Sequence, residues 1–276
     1  MADDKLPDPP RVQAVELLSR KPIVLGEAYA DALRRNCGEV DVKVGEATIH
    51  AFHPDCPVGT TEDGKPIPAQ TVVMHPGGEG VETEPYAAAV QQAWDWRDAG
   101  NVVAECGHHA LLTDILAGGL TPKLRLHMLV RALKSALEVA EVDALHWKTS
   151  DRLVEPSAFL RALEQGQEFF CGPINARLFN IRDRAEGETV MDTLGMNLFR
   201  LPDVQLHFTG LDVNDVASFL YTTAKYLFDA GDVIEDGQTV QGLTDAHKWR
   251  CQHERSLVPP DRLVLDAHSG EFRPPS

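Results

Sequence analysis

Residues 175–242 read NARLFNIRDRAEGETVMDTLGMNLFRLPDVQLHFTGLDVNDVASFLYTTAKYLFDAGDVIEDGQTVQG, and this stretch decides the fold. Positions 176–181, 189–193 and 204–208 are short runs rich in apolar and β-branched residues, bounded by turn residues, which predicts three strands with short connections. Asp212 then stands where a helix N-cap belongs, with Asp215 in the first turn, and Gly231 fits the left-handed residue that ends a helix. Between them Val216, Leu220, Thr223 and Leu227 share one stripe, so the helix has an inner face. Asp236-Gly237 predicts a later hairpin turn. The segment is a β-β-β-α-β-β unit, a sheet covered by one helix.

Several short motifs lie within it: Arg177-Leu-Phe, Asp192-Thr-Leu-Gly195, Leu201-Pro-Asp-Val-Gln205, Gly231-Asp-Val-Ile234 and Asp236-Gly-Gln-Thr239. In this order they resemble a bacterial family, domain-of-unknown-function family 4261. The resemblance extends more weakly back to about Ala47, through a β-α-β passage at 109–147, covering about two thirds of the chain. It implies a fold and no reaction, because none of these motifs carries known chemistry.

The 276 residues have room for one large domain or two smaller ones. A net charge of −16 repels phosphate backbones and anionic headgroups, so the expected partner is a basic protein, with no nucleic acid and no membrane. Cys37, Cys56, Cys106, Cys171 and Cys251 are odd in number, scattered and without a Cys-x-x-Cys pair, which suggests reduced thiols. The opening MADDKLPDPP lacks the basic and apolar pattern of a secretory signal, and no apolar run approaches a membrane span. These features predict a soluble cytoplasmic protein whose oligomeric state the sequence does not define.

Upstream, Val12, Val15 and Leu18 are spaced as on a short amphipathic helix, and a second helix is predicted at 27–35. Val40, Val42 and Val44 alternate with polar residues and lead to 47–52, a hairpin, followed by a strand at 71–75. The segments PVGTTEDGKPIPAQ and PGGEGVETEP read as loops and candidate binding edges. A helix is predicted at 86–97, then one long strand at 102–115 or two strands broken at Gly107. Thr121-Pro122 opens a helix to about Ala140, with Leu126, Leu129, Val130, Leu133 and Leu137 inward, and a strand at 142–147 completes a β-α-β crossover. A short helix is predicted at 157–165. The expected class is α+β, with mixed and antiparallel sheets under covering helices, in two α/β halves packed together. The expected division is a disordered arm at 1–10, an N-terminal half at 11–168, a C-terminal half at 169–270 and a tail at 271–276.

Among chemical constellations, His50-x-x-His53-x-x-Cys56 has ligand types suited to zinc, but i and i+3 of a strand face opposite ways and no fourth ligand stands nearby. His108 or His109 could meet His146 if the crossover strands were neighbours, and Cys106 could meet one of these histidines. Asp192, placed mid-strand, is the candidate catalytic carboxylate, with Asp203, His207 and Asp236 as neighbours if the strands pair in order; the bland alternative is a structural carboxylate. Gly77-Gly78-Glu79-Gly80 lacks the ending of a phosphate loop, and no cofactor is implied. Trp249, Trp96 and Glu79 are candidate partner contacts, the tryptophans against the commoner alternative of core packing. The preferred reading is a non-enzymatic protein-binding, accessory or neutralising factor acting through an acidic surface and the loops at 55–85. The alternative is a hydrolase or metal-dependent enzyme built on Asp192.

Overall fold

The computed structural model describes residue 8 and residues 10–75, 82–181 and 187–268. The loop containing Glu79, most of the arm at 1–10, and the tail at 271–276 lie outside the described residues. Six α-helices and two sheets, of seven and six strands, make up the described chain and establish the α+β class. The chain divides into two compact units, Arg11–Pro173 and, with the first ten residues, Ile174–Ser276. Among the described residues, no helix is long and apolar enough to cross a membrane.

The first unit is built on strands β1 (Ala14–Ser19), β2 (Asp41–Val44), β3 (Thr48–Thr60), β4 (Pro66–Met74), β5 (His108–Ile115), β6 (Ala144–Trp147) and β7 (Arg152–Val154), in the order β2-β3-β4-β5-β1-β6-β7. The segment expected to form the first helix is instead the strand β1, inserted between β5 and β6 and antiparallel to both. Val15, Leu17 and Leu18 are all fully buried, as is Ser19. A strand covered on both faces has no polar alternation to announce it, so a few apolar residues at three-residue spacing imitate a helix.

Three further expectations are corrected. The stretch expected as a proline loop continues the β3–β4 hairpin as a long arm, in which Pro57 stands opposite Pro68 and Thr60 opposite Pro66. Register shifts between His53 and Pro57 and between Pro57 and Gly59 absorb the prolines, which cannot donate to a regular ladder. The Asp63-Gly64 turn closes the arm, with Gly64 N donating to Thr61 O at 2.9 Å. The long strand expected from Val102 is helical in its first part, α3 (Ala99–Glu105), before β5 begins past Gly107. Likewise the helix expected at 86–97 is only a 3₁₀ turn at Glu84–Tyr86 and α2 (Ala87–Gln91).

The helices α1 (Gly26–Cys37), α4 (Pro122–Leu137) and α5 (Pro156–Glu164) fall close to their expected positions. Thr121 caps α4, its side chain accepting from Leu124 N, and Leu126, Leu129, Val130 and Leu133 turn inward. Because β5 and β6 both run antiparallel to β1, they are parallel to one another, so β5-α4-β6 is a crossover that spans β1.

The second unit contains β8 (Asn175–Asn180), β9 (Glu188–Leu194), β10 (Asp203–Thr209), α6 (Val213–Ala230), β11 (Thr239–Gln241), β12 (Lys248–Arg255) and β13 (Leu263–His268). The sheet order is β11-β12-β13-β10-β9-β8, mixed because β13 lies parallel to β10. One strand more than expected follows the helix. Asp212 caps α6 through its Oδ1, which accepts from Asn214 N at 2.9 Å and Asp215 N at 3.2 Å, and Gly231 ends it at φ 89°. The predicted stripe Val216, Leu220, Thr223 and Leu227 is buried. It packs on β8, β9 and β10.

One close approach in the first unit admits no side chain. The fully buried Trp147 indole lies over Gly172, whose φ is 144°, and a Cβ there would sit 2.0 Å from Trp147 Nε1. Gly172→Ala is expected to cost at least about 3 kcal/mol through overpacking and backbone strain. Gly107→Ala, where a Cβ meets nothing within 4 Å, should cost less than about 1 kcal/mol. Urea unfolding followed by tryptophan fluorescence distinguishes the two.

Candidate functional site

The register of the second sheet lines five polar side chains across five strands. Arg177 stands opposite Asp192, Asp192 opposite Gln205, Gln205 opposite Asp266, and Asp266 opposite Gln252. Side chains alternate along each strand, so this row shares one face while Met191, Leu206 and Leu265 point to the other, the α6 side. Asp192, Asp203 and Gln205 are fully buried, and Arg177 and Asp266 nearly so.

Burial of so much charge requires internal pairing. Arg177 grips Asp192 with two bonds, Nε to Oδ1 at 3.0 Å and Nη2 to Oδ2 at 2.7 Å. Arg262, immediately before β13, donates from Nη2 to Asp192 and to Thr193 O at 2.9 Å, and from Nε to Asp203 Oδ2 at 2.9 Å. Its Nη1 reaches Pro260 O at 2.9 Å and Val258 O at 3.2 Å. Asp203 Oδ1 accepts from Met196 N at 3.0 Å and Thr193 Oγ1 at 3.1 Å. Two guanidinium groups and two carboxylates thus close a neutral quartet. Burial alone would lower the Arg262 pKa, but Asp203 and Asp192 outweigh it and raise the value, so Arg262 stays cationic.

Both oxygens of Asp192 are engaged, and the side chain has neither solvent access nor freedom to turn toward a substrate. His207 shares its sheet face but pairs with Glu188, Nε2 to Oε1 at 2.8 Å. Asp236 lies elsewhere: it accepts from His253 N and contacts His253 Nδ1, both at 2.8 Å, on the opposite face of the sheet. Asp192 and Asp203 are therefore joined by Arg262, whereas His207 and Asp236 have separate partners. Beyond the quartet, Asp266 accepts from Gln205 Nε2 at 2.8 Å and meets His268 Nδ1 at 3.1 Å.

In the first unit, His53 is buried against Thr71 Oγ1 at 2.9 Å, and burial lowers its pKa to about 4. His50 projects to the other face beside Phe52, and Cys56 packs with Ala69, Ala117 and Met128. Among the described residues, no group of three or more His, Cys, Asp or Glu side chains could hold a metal ion. Cys106 donates its thiol to Val102 O at 3.2 Å, and burial pushes its pKa up to about 11, away from nucleophilic thiolate. Trp249 is 3% exposed and lies edge-on to Phe219, and Trp96 is half-buried against the cluster of Ala93, Ala99 and Leu153. The freely exposed tryptophan is Trp94.

A polar cluster that the sequence did not suggest surrounds His146. Its Nδ1 lies 3.0 Å from Glu16 Oε2 and its Nε2 2.9 Å from Asp151 Oδ1, while Lys148 Nζ stands 3.4 Å from Glu16 Oε1. Tyr86 lies edge-on to the imidazole at 5.1 Å. A ring nitrogen contacts a carboxylate favourably when it carries a proton, so this arrangement favours imidazolium. Burial alone lowers the His146 pKa, but hydrogen bonds to Asp151 and Glu16 and their charges raise it overall. The helix-like spacing of Val12, Val15 and Leu18 hides the position of Glu16, which stands opposite His146 across β1 and β6. His108 and His109 lie on β5, beyond β1 from His146.

Residues 192–268 match the model of the family described as Domain of unknown function (DUF4261). That stretch holds Asp192, Asp203, Gln205, Arg262 and Asp266, and the chain resembles the family through it. Arg177-Leu-Phe and the passage at 47–147 fall outside the matched residues. No curated protein and no solved structure matches the chain.

Asp192→Asn removes one charge of the neutral quartet and leaves the guanidinium groups under-compensated, so a loss of about 3 kcal/mol is expected in urea unfolding. Unchanged stability would return Asp192 to the list of free carboxylates. For His146, the folded pKa is raised above 6.5, so its contribution is fully present below pH 6.5 and lost as pH rises through the folded value. Glu16 has its pKa lowered below 4.5, since His146 and Lys148 outweigh burial, so its contribution is present above pH 4.5 and lost on acidification. The stability advantage of wild type over His146→Gln should be largest between these limits and shrink as pH rises above 6.5. Denaturation at a series of pH values and an NMR titration of the His146 ring measure it.

Proposed function

We propose that this chain is a non-enzymatic, cytoplasmic protein-binding factor, accessory or neutralising in role, that engages a basic protein through an acidic surface. The observation that carries this reading is where the charge of −16 resides. Among the described residues, the buried carboxylates have partners inside: Asp114 with Arg125, Asp192 and Asp203 with Arg177 and Arg262, Glu188 with His207, and Asp266 with Gln205 and His268. Many surface cations are engaged as well, as in Arg20 with Asp143 and Glu105, Lys21 with Glu141, and Arg255 with Asp261. The excess negative charge is thereby left to the exterior. The β3–β4 arm contributes exposed acids at Asp55, Glu62 and Asp63.

A field of this sign accelerates encounter with a cationic surface and repels nucleic acid and anionic membranes. The hydrolase alternative drew on Asp192, His207 and Asp236, and the separate pairing of these three gives it no support.

The test is affinity purification from host lysate at about 0.05 and about 0.5 M salt, where screening shortens the reach of surface charge several-fold. One basic protein recovered in stoichiometric amount at low salt and released at high salt is expected. Retention that ignores salt, or recovery of acidic proteins only, would overturn the electrostatic reading.

A further inference from the structure

Between α6 and the end of β11 runs an open groove of about 450 Å³, within the range of small-ligand and short-peptide sites. Its lining includes Asp215, Ser218, Phe219, Thr222, Gln241 and Leu243. Asp215, Ser218 and Thr222 fall at i, i+3 and i+7 of α6 and form one polar stripe. Phe219 is held from beneath by the Trp249 ring at 4.7 Å. Asp215 is the one charged side chain among the described lining residues, and its carboxylate has no hydrogen-bond or ion-pair partner among the described residues.

The groove runs beside an open sheet edge. Among the described residues β11 is the outermost strand and pairs only with β12. Gly242 N donates to His247 O at 2.9 Å and Cys251 N to Gln238 O at 2.8 Å, which sets 242 with 247 and 238 with 251 as hydrogen-bonded pairs. The antiparallel ladder alternates with a period of two, so Val240 also faces β12, while the backbone N–H and C=O groups of Thr239 and Gln241 point outward. A row of unpaired donors and acceptors is a template for a further strand.

We infer that this groove is a docking site for an extended peptide segment of a protein partner that carries Lys or Arg. The segment pairs with the outward backbone groups of Thr239 and Gln241, places a cationic side chain against Asp215, and rests an apolar neighbour on Phe219 and Leu243. Charge complementarity selects this occupant: the lining offers a carboxylate, hydroxyls and an amide, with no cation among the described residues. The inference rests on the basic-partner reading above and gives it a location.

The test uses the full chain, labelled with ¹⁵N, and two short peptides, one alternating Lys and Val and the other Glu and Val. At low salt the Lys–Val peptide should shift the amides of Thr239, Gln241 and Leu243 and of the Ser218 to Thr222 turn, and the Glu–Val peptide should shift none of them. Asp215→Lys, and separately Ser218→Arg at an exposed helix position, should weaken Lys–Val binding at least about ten-fold while the rest of the amide spectrum stays in place. If the Lys–Val peptide binds elsewhere on the acidic surface and neither substitution matters, the groove assignment falls while the basic-partner reading stands. If no cationic peptide binds at low salt, both fall. Shifts of the Thr239 and Gln241 amides on dilution, without peptide, would assign the edge to a second copy of the chain and overturn the proposal.

Discussion

A carboxylate can be buried as deeply as Asp192 only because two guanidinium groups reach it from opposite directions along the chain. Arg177 comes from the neighbouring strand β8, and Arg262 from the far end of the unit, just before β13. Arg262 also holds Asp203, so the quartet ties β8, β9, β10 and the entry to β13 together. The parallel contact of β10 with β13 joins segments separated by about sixty residues and bears the highest loop-closure cost in the sheet. An ion-pair network does not by itself add much stability over a well-packed apolar core. It does penalise arrangements in which any member is left unpaired, and this is its structural value here.

The same logic operates in the first unit on a smaller scale. Asp114 is fully buried, accepts from Gln13 N at 2.7 Å and is held by Arg125, whose Nε lies 2.6 Å from Oδ2 and which also reaches Arg11 O at 2.8 Å. That contact anchors the start of β1 against β5 and α4. His146 links the other flank of β1 to the turn after β6, where Asp151 adopts φ 47°, an unusual conformation for a residue with a side chain. Polar contacts at both edges thus fix a strand whose own sequence only weakly specifies its structure.

Because the interior settles its charges locally, the surface carries the imbalance, and the functional proposals follow from that division. Asp192 belongs to the interior set. Asp215 belongs to the exterior one, beside the outermost described strand of the sheet and an aromatic floor, and the difference between these two aspartates is their surroundings and not their chemistry.

What the sequence by itself determined is the C-terminal unit: three strands in order, the Asp212 cap, the inward stripe of α6 and its end at Gly231. These signals are local, within one or two turns or one strand, and periodicity and turn chemistry report them directly. The acidic character was equally legible, being a matter of counting. Only the tertiary structure decided that Val15, Leu17 and Leu18 lie in a strand, since burial on both faces erases the alternation that marks one. It alone decided that the proline segment at 57–68 is a hairpin arm, because bulges let the ladder absorb residues that normally break it. It also decided the company each polar residue keeps: Asp192 with Arg262, seventy residues away, His146 with Glu16, and Asp215 with the edge of β11. Those pairings depend on strand order and register, which are long-range properties that no local pattern encodes.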